Sequence, residues 1–327
     1  MYLAPDAEEA EIANAAAAFL SDAMPIARLH AHIGAAMVAD MGGELRQTLG
    51  GMGWFALAVP EAAGGSGLSA VEHALFFREV GRQCGPIDVL AQCLAANLLE
   101  DAALREAVIA GEQSVALLVA DGSGFRLLGN PQADLGLLVT IEHAAVYPLD
   151  QTVAEARSAL DPANSLRRVE TLPAPTASAS NPRIWQLGQL GVAAMQVGIA
   201  EAALDLIVEY AKIRETFGRK IGSWQAVRHP CADMAVRAEA ARAQLWYAAT
   251  AIKEARADAG AHLDAAKHLA NLAAHGNADT AIQLHGGIGV TDEHDCHLLL
   301  KHAMVLSRVF GSRRDLLGRL LHARLDD

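Results

Sequence analysis

Apolar residues recur at three-to-four spacing over residues 6–22, with Ile12, Phe19 and Leu20 on one stripe, and again over 28–50, through Ile33, Met37, Met41, Leu45 and Leu49. That spacing lines one face of a helix, so it predicts two helices parted by Pro25. The run Gly50-Gly51-Met52-Gly53 ends the second, and the stretch from Val59-Pro60-Glu61 to Gly64-Gly65-Ser66-Gly67 predicts a long, turn-rich loop. Ser69 with Glu72 three residues on is a capping box. It opens a helix through Phe76, Phe77 and Val80 toward Gly81 or Gly85. A further helix from about Pro86 carries Leu90, Leu94, Leu98 and Leu99, and a short one ends near Gly111. Residues 1–112 are therefore expected to form an N-terminal helical domain.

The pattern then changes. Short apolar runs, Val115–Val119, Phe125–Leu128 and Leu135–Thr140, are cut by Asp121-Gly122, Gly129-Asn130-Pro131 and His143, which predicts a small β domain of hairpins over 113–180. Residues 172–181, rich in Pro, Ala, Ser and Thr, read as a linker. From Pro182 onward the period is helical again. One helix is expected to run to Phe217 with a stripe through Leu187, Leu190, Ala194, Val197, Ala200, Leu204 and Ile207. A second spans 226–259, a third 261–285 and a fourth 292–321, making residues 181–327 a four-helix bundle. The fold class is mainly α with a small, truncated β domain.

Composition agrees: 52% of residues are hydrophobic and only 5% aromatic, which favours packed helices over sheet. A formal net charge of -12 argues against a nucleic-acid binder, so any phosphate site must be local. No run of eighteen apolar residues appears and the N-terminus lacks a basic, signal-like segment, so a cytoplasmic protein with no membrane span is expected. Cys84, Cys93, Cys231 and Cys296 lie far apart without a CxxC pair and read as buried thiols in a reducing compartment. His285, His294 and His297 gather around Cys296, but a helical His pair without a suitable third ligand is read as structural, and no metal is expected.

Two stretches carry the candidate chemistry. Residues 210–225 place Arg214, Phe217-Gly218 and Gln225 at a charged helix end and the glycine-broken loop after it; residues 283–291 place Gln283 and Gly286-Gly287 at another. Glycine lets backbone approach a ligand closely and arginine offers a planar fork of donors for phosphate, so each stretch has the composition of an anion site.

The order helices, small β domain, helical bundle, together with Arg214-x-x-Phe217-Gly218-x-x-Ile221-x-x-x-Gln225 and Gln283-x-x-Gly286-Gly287-x-Gly289-x-Thr291, resembles the flavin-dependent acyl-CoA dehydrogenases. Gly53-Trp54, Val59-Pro60-Glu61 and Gly64-Gly65-x-Gly67 are similar to that family's N-terminal loop. The resemblance implies FAD as cofactor, with Arg214, Phe217 and Gln225 at the adenosine pyrophosphate of a neighbouring subunit and Gln283, Gly286 and Gly287 beside them. It implies an acyl-CoA substrate and an electron-transfer flavoprotein as electron acceptor.

The chain also departs from the family. The reaction needs a base for the proton alpha to the thioester carbonyl. The family's two positions for that glutamate correspond here to Phe310, before Gly311, and to Gly188. The flavin-ring motifs Thr-Glu-Pro-x-x-Gly-Ser and Trp-Ile-Thr are absent too, and no catalytic residue is assigned. This resembles the short subunit of heteromeric (α2β2) bacterial acyl-CoA dehydrogenases, in which a full-length partner supplies base and ring site; Thr291-x-Glu293-His294-Asp295-x-His297-Leu298 is similar to a segment of such chains. Several of these pairs act on steroid side-chain thioesters. Two alternatives stand beside this expectation: a self-sufficient enzyme using Glu201 or Asp315 as base, and a flavin-free scaffold subunit.

Overall fold

The computed structural model describes residues 5–33 and 41–324. The chain divides into two compact units. One holds the residues up to His30, Ala74–Cys84 and the chain from Leu190 on; the other holds Ala31–His73 and Gly85–Gln189.

The first unit is helical. α1 (Ala7–Ala23) starts at a reciprocal capping box between Asp6 and Glu9, and a 3-10 segment, Ile26–His32, follows. α3 (Ala70–Arg82, after α2, Gly43–Gly51) opens where Glu72 Oε2 accepts from the backbone N–H of Ser69 at 2.8 Å and from its hydroxyl at 2.6 Å. The bundle is built from α6 (Pro182–Ile213), α7 (Gln225–Lys253), α8 (Ala259–His285), α9 (Cys296–Leu306) and α10 (Arg313–His322). Small residues let these helices pack closely. A Cβ on Gly81 of α3 would lie 2.1 Å from the Met195 carbonyl oxygen of α6, and one on Gly198 of α6 2.0 Å from that of Arg78. At the crossing of α6, α7 and α8, Asn277 Nδ2 donates to the Ala200 and Met234 carbonyls, both at 3.0 Å, so a buried amide fixes their register. By length and composition α6 could cross a membrane, yet 72% of its apolar window is buried inside the protein, as in a core helix.

The second unit carries α2, α4 (Asp88–Leu98), α5 (Ala102–Ile109) and a seven-stranded sheet. Its strands are β1 (Val115–Asp121), β2 (Gly124–Gly129), β3 (Leu135–Val139), β4 (Ala144–Pro148), β5 (Ala154–Arg157), β6 (Ser165–Val169) and β7 (Ala177–Ala179), in the order β5-β6-β2-β1-β3-β4-β7. Only β1 and β3 pair in parallel; every other neighbouring pair is antiparallel. Ala116, Leu118, Leu127, Ala133 and Val169 form its core. β1 turns into β2 through Gly122-Ser123 alone, with Asp121 paired to Gly124.

Several expected boundaries change. The helix expected over 28–50 is a 3-10 segment ending at His32 and a separate α2 from Gly43; Met37 lies outside the described residues. The expected linker holds β7, an edge strand that borrows its hydrogen bonds from β4. The helix expected to reach Phe217 stops at Ile213, and the one expected to end at residue 259 stops at Lys253. The fourth bundle helix is two: Phe310 and Gly311 take positive φ (54° and 105°), and Ser312 with Asp315 starts α10 by a second capping box. Cys84, Cys93 and Cys296 are buried as expected, while Cys231 is only half-buried.

Candidate functional site

The Arg214 stretch folds as a helix end followed by a hairpin. The Arg214 N–H donates to the Tyr210 carbonyl at 2.9 Å, and the Ile221 N–H donates back to the Arg214 carbonyl at 2.8 Å. Between them β8 (Glu215–Thr216) and β9 (Arg219–Lys220) pair around a two-residue turn in which Phe217 and Gly218 both have positive φ, 51° and 76°. This is the turn whose twist suits a tight hairpin, and it leaves Phe217 95% exposed at the tip. Arg219 stacks on the Trp224 ring at 3.5 Å, and Gln225 is the first residue of α7.

The Gln283 stretch ends α8. Gly286, with φ 69°, stops the helix and its N–H donates to the Gln283 carbonyl. A 3-10 turn over Gly286–Val290 follows. Gly289 packs so tightly that a Cβ would meet the Ile282 carbonyl oxygen at 2.8 Å, whereas Gly286 and Gly287 face open space, with nothing within 4 Å of an added Cβ.

The two helix ends meet. The Tyr210 ring, one turn before Arg214, lies 4.6 Å centroid to centroid from the ring of His285, the residue before Gly286. His285 Nδ1–H donates to the Ala281 carbonyl at 2.7 Å, and burial holds this ring's pKa below the usual imidazole range. Arg214, Phe217, Gln225, Gln283, Gly286 and Gly287 are all exposed. Ile213, Ile288 and Val290 are exposed apolar neighbours. No described residue bonds the Arg214 guanidinium or the side-chain amides of Gln225 and Gln283. A cation, two amides and two unobstructed glycine peptides at these helix ends have the chemistry to hold a dinucleotide's phosphates and adenosine half.

His285, His294 and Cys296 have donor atoms within 4.8 Å of one another. His285 Nδ1 is already engaged by Ala281, and the Cys296 thiol is pushed up to about 12 by burial, with the Asp295 charge adding to it.

Neither base position carries a carboxylate: Gly188 is buried in α6, and Phe310 is buried at the break before α10. The two alternative bases are otherwise occupied. Glu201 faces three guanidiniums, Arg78 Nε at 2.8 Å, Arg82 at 3.4 Å and Arg242 at 3.5 Å. Asp315 caps α10, and its hydrogen bonds from Ser312 hold its pKa below the usual carboxylate range.

Residues 185–321 match the acyl-CoA dehydrogenase C-terminal domain and residues 6–106 the acyl-CoA dehydrogenase N-terminal domain. Acyl-CoA dehydrogenase IpdE2 of Mycobacterium tuberculosis is 35% identical over 300 residues, covering 89% of this chain and 90% of its own length. The chain belongs to the acyl-CoA dehydrogenase family. Members of this family are oxidoreductases acting on acyl-CoA, with FAD as cofactor. Acyl-CoA dehydrogenase FadE34 of the same organism is 34% identical over 80% of this chain, which spans only 39% of FadE34. Among solved structures, the Tcur3481-Tcur3483 steroid ACAD G363A variant superposes with a TM-score of 0.80 at 25% identity, covering 96% of this chain and 97% of that one.

Proposed function

We propose that this chain is the non-catalytic subunit of a heteromeric, FAD-dependent acyl-CoA dehydrogenase, closing the adenosine half of a flavin site whose ring and base belong to a full-length partner. The carrying observation is the pairing of an exposed, unbonded Arg214 edge with the absence of any carboxylate at Gly188 and Phe310. Arg214 would hold the pyrophosphate; Gln225 and Gln283 would hydrogen-bond the adenosine half; Gly286 and Gly287 would admit phosphate oxygens to their backbone N–H groups. Phe217 at its hairpin tip, with Ile213, Ile288 and Val290, would cover that half against the partner chain. FAD, when bound, accepts the hydride from the acyl beta carbon; this chain contributes binding and the exclusion of water. The Gly122-Ser123 turn joining β1 to β2 supports the reading, because it leaves no loop there to cradle a ring.

In the same reading the complex is α2β2, cytoplasmic, and passes electrons to an electron-transfer flavoprotein, and residues 1–112, 113–180 and 181–327 are its three segments. The name Tcur3481-Tcur3483 steroid ACAD joins two designations and carries the word steroid, which supports a paired assembly acting in steroid or lipid catabolism. The test is co-expression with a full-length family member. The chain alone should hold no FAD and oxidise no acyl-CoA, whereas the complex should do both. Replacing Arg214 by Ala should cost the complex about 1.5–3 kcal/mol of FAD affinity, the range for a hydrogen bond to a charged group. Full activity of the isolated chain, or unchanged FAD content in the Arg214→Ala complex, would overturn it.

A further inference from the structure

The turn after the Gly286-Gly287 corner is held from far away in sequence. His30, in the 3-10 segment after α1, places Nδ1 2.6 Å from the Asp292 carbonyl oxygen and Nε2 2.6 Å from Asp295 Oδ1. Both partners are acceptors. A neutral imidazole has one N–H, so only the doubly protonated ring can donate to both. The base of this contact is rigid: Arg28, two residues earlier, donates to the Met24, Pro25, Gln83 and Cys84 carbonyls at 2.8–3.1 Å. The turn it grips is itself ordered, with the Thr291 N–H and hydroxyl both donating to the Ile288 carbonyl and the His294 N–H donating to that of Thr291.

We propose that His30 is a positioning residue for the cofactor edge: it clasps the Asp292–Asp295 turn, and thereby the Gly286-Gly287 corner, only while its ring carries both protons. This rests on the flavin reading above for its functional consequence, but not for the clasp itself. The charged and titratable groups facing His30 come from the turn, from α9 and from its own segment. Asp292, Glu293 and Asp295 are the acidic ones on the turn. His294 on the turn and His297 on α9 also face the ring, and burial lowers the pKa of both. Lys301 on α9 bears on His297, and His32 is the titratable neighbour on its own segment. The doubly protonated ring therefore makes both bonds of the clasp, and the neutral ring makes only one.

The experiment compares wild type, His30→Gln and His30→Arg in the assembled complex by amide exchange over residues 286–296 and by FAD affinity, each at pH 6 and pH 8.5. Wild-type protection of the turn should be about tenfold higher at pH 6, the equivalent of one charge-assisted hydrogen bond. His30→Gln should be unprotected and flat with pH. His30→Arg, a permanently charged fork, should be protected and flat, a rescue that loss of packing would not give. FAD affinity should follow the same order. Wild-type protection that ignores pH, or a pH slope kept by His30→Gln, overturns the clasp. Protection that shifts without any change in FAD affinity overturns the positioning role. Arg214→Ala in the same titration separates this from failure of the flavin reading, since only that failure leaves its FAD affinity intact.

Discussion

Lys267 is fully buried in α8, and burial, with the Arg319 charge adding, pushes its pKa down to about 7. Among the described residues its one side-chain acceptor is Asn271 Oδ1 at 3.5 Å, the limit of a hydrogen bond, and that oxygen also accepts from Gln196 Nε2 at 3.1 Å. Asp264 opposes the shift, but its two oxygens are taken by Arg319 in a bidentate pair at 2.5 and 2.8 Å. A lysine that keeps its ordinary pKa when unfolded binds more protons unfolded than folded between pH 7 and 10.5, so native stability rises with pH across that window. At 1.36 kcal/mol per unit, the penalty works out at about 4–5 kcal/mol at pH 6.5 and about 1–1.5 kcal/mol at pH 9.5. Lys267→Met fills the same unbranched space, keeps helix propensity and leaves Asn271 bonded to Gln196. It should therefore stabilise the protein, with an advantage about 3 kcal/mol larger at pH 6.5 than at pH 9.5. Urea unfolding of both proteins at the two pH values measures this, because every other titrating group cancels in the difference. A variant less stable than wild type at pH 6.5, or a difference that does not change with pH, refutes the account.

Two further outcomes follow from the packing and the charges. Gly198→Ala would set a methyl against the Arg78 main chain, where no side chain can swing aside, so α3 and α6 must part; the expected loss is about 3 kcal/mol, read as a lower melting temperature. Glu201→Gln keeps the shape but removes the charge shared by Arg78, Arg82 and Arg242. It should cost about 2 kcal/mol of stability and leave turnover of the assembled complex unchanged, whereas a loss of 10²–10⁴-fold, the range for a general base, would make Glu201 the base.

Much of the helical scaffold could be read from local patterns. Ser69 and Glu72 announced α3 because a capping box is local chemistry, and the apolar stripes of α6 and α8 need only their own spacing. The break before α10 carried the same kind of signal, Ser312 with Asp315 three residues on, but a continuous apolar stripe on either side hid it. β7 could not be read, since Ala177–Ala179 is a strand only because β4 offers it a ladder. The site divides the same way. Its glycines and Arg214 stood out in composition, and the reason they share one edge did not: Tyr210 stacks on His285 from 75 positions away, and His30 reaches Asp295 across 265.

The hairpin at Phe217 has a thermodynamic consequence. An aromatic residue with a Cβ is held at φ 51°, a conformation costing on the order of 1–2 kcal/mol for a non-glycine residue. That strain is met during folding, together with the entropy of fixing the backbone beneath the ring. A surface that presents its aromatic on a backbone already fixed loses less backbone freedom when something settles on it. The bent backbone thus moves part of the cost of assembly into the folding of a single chain.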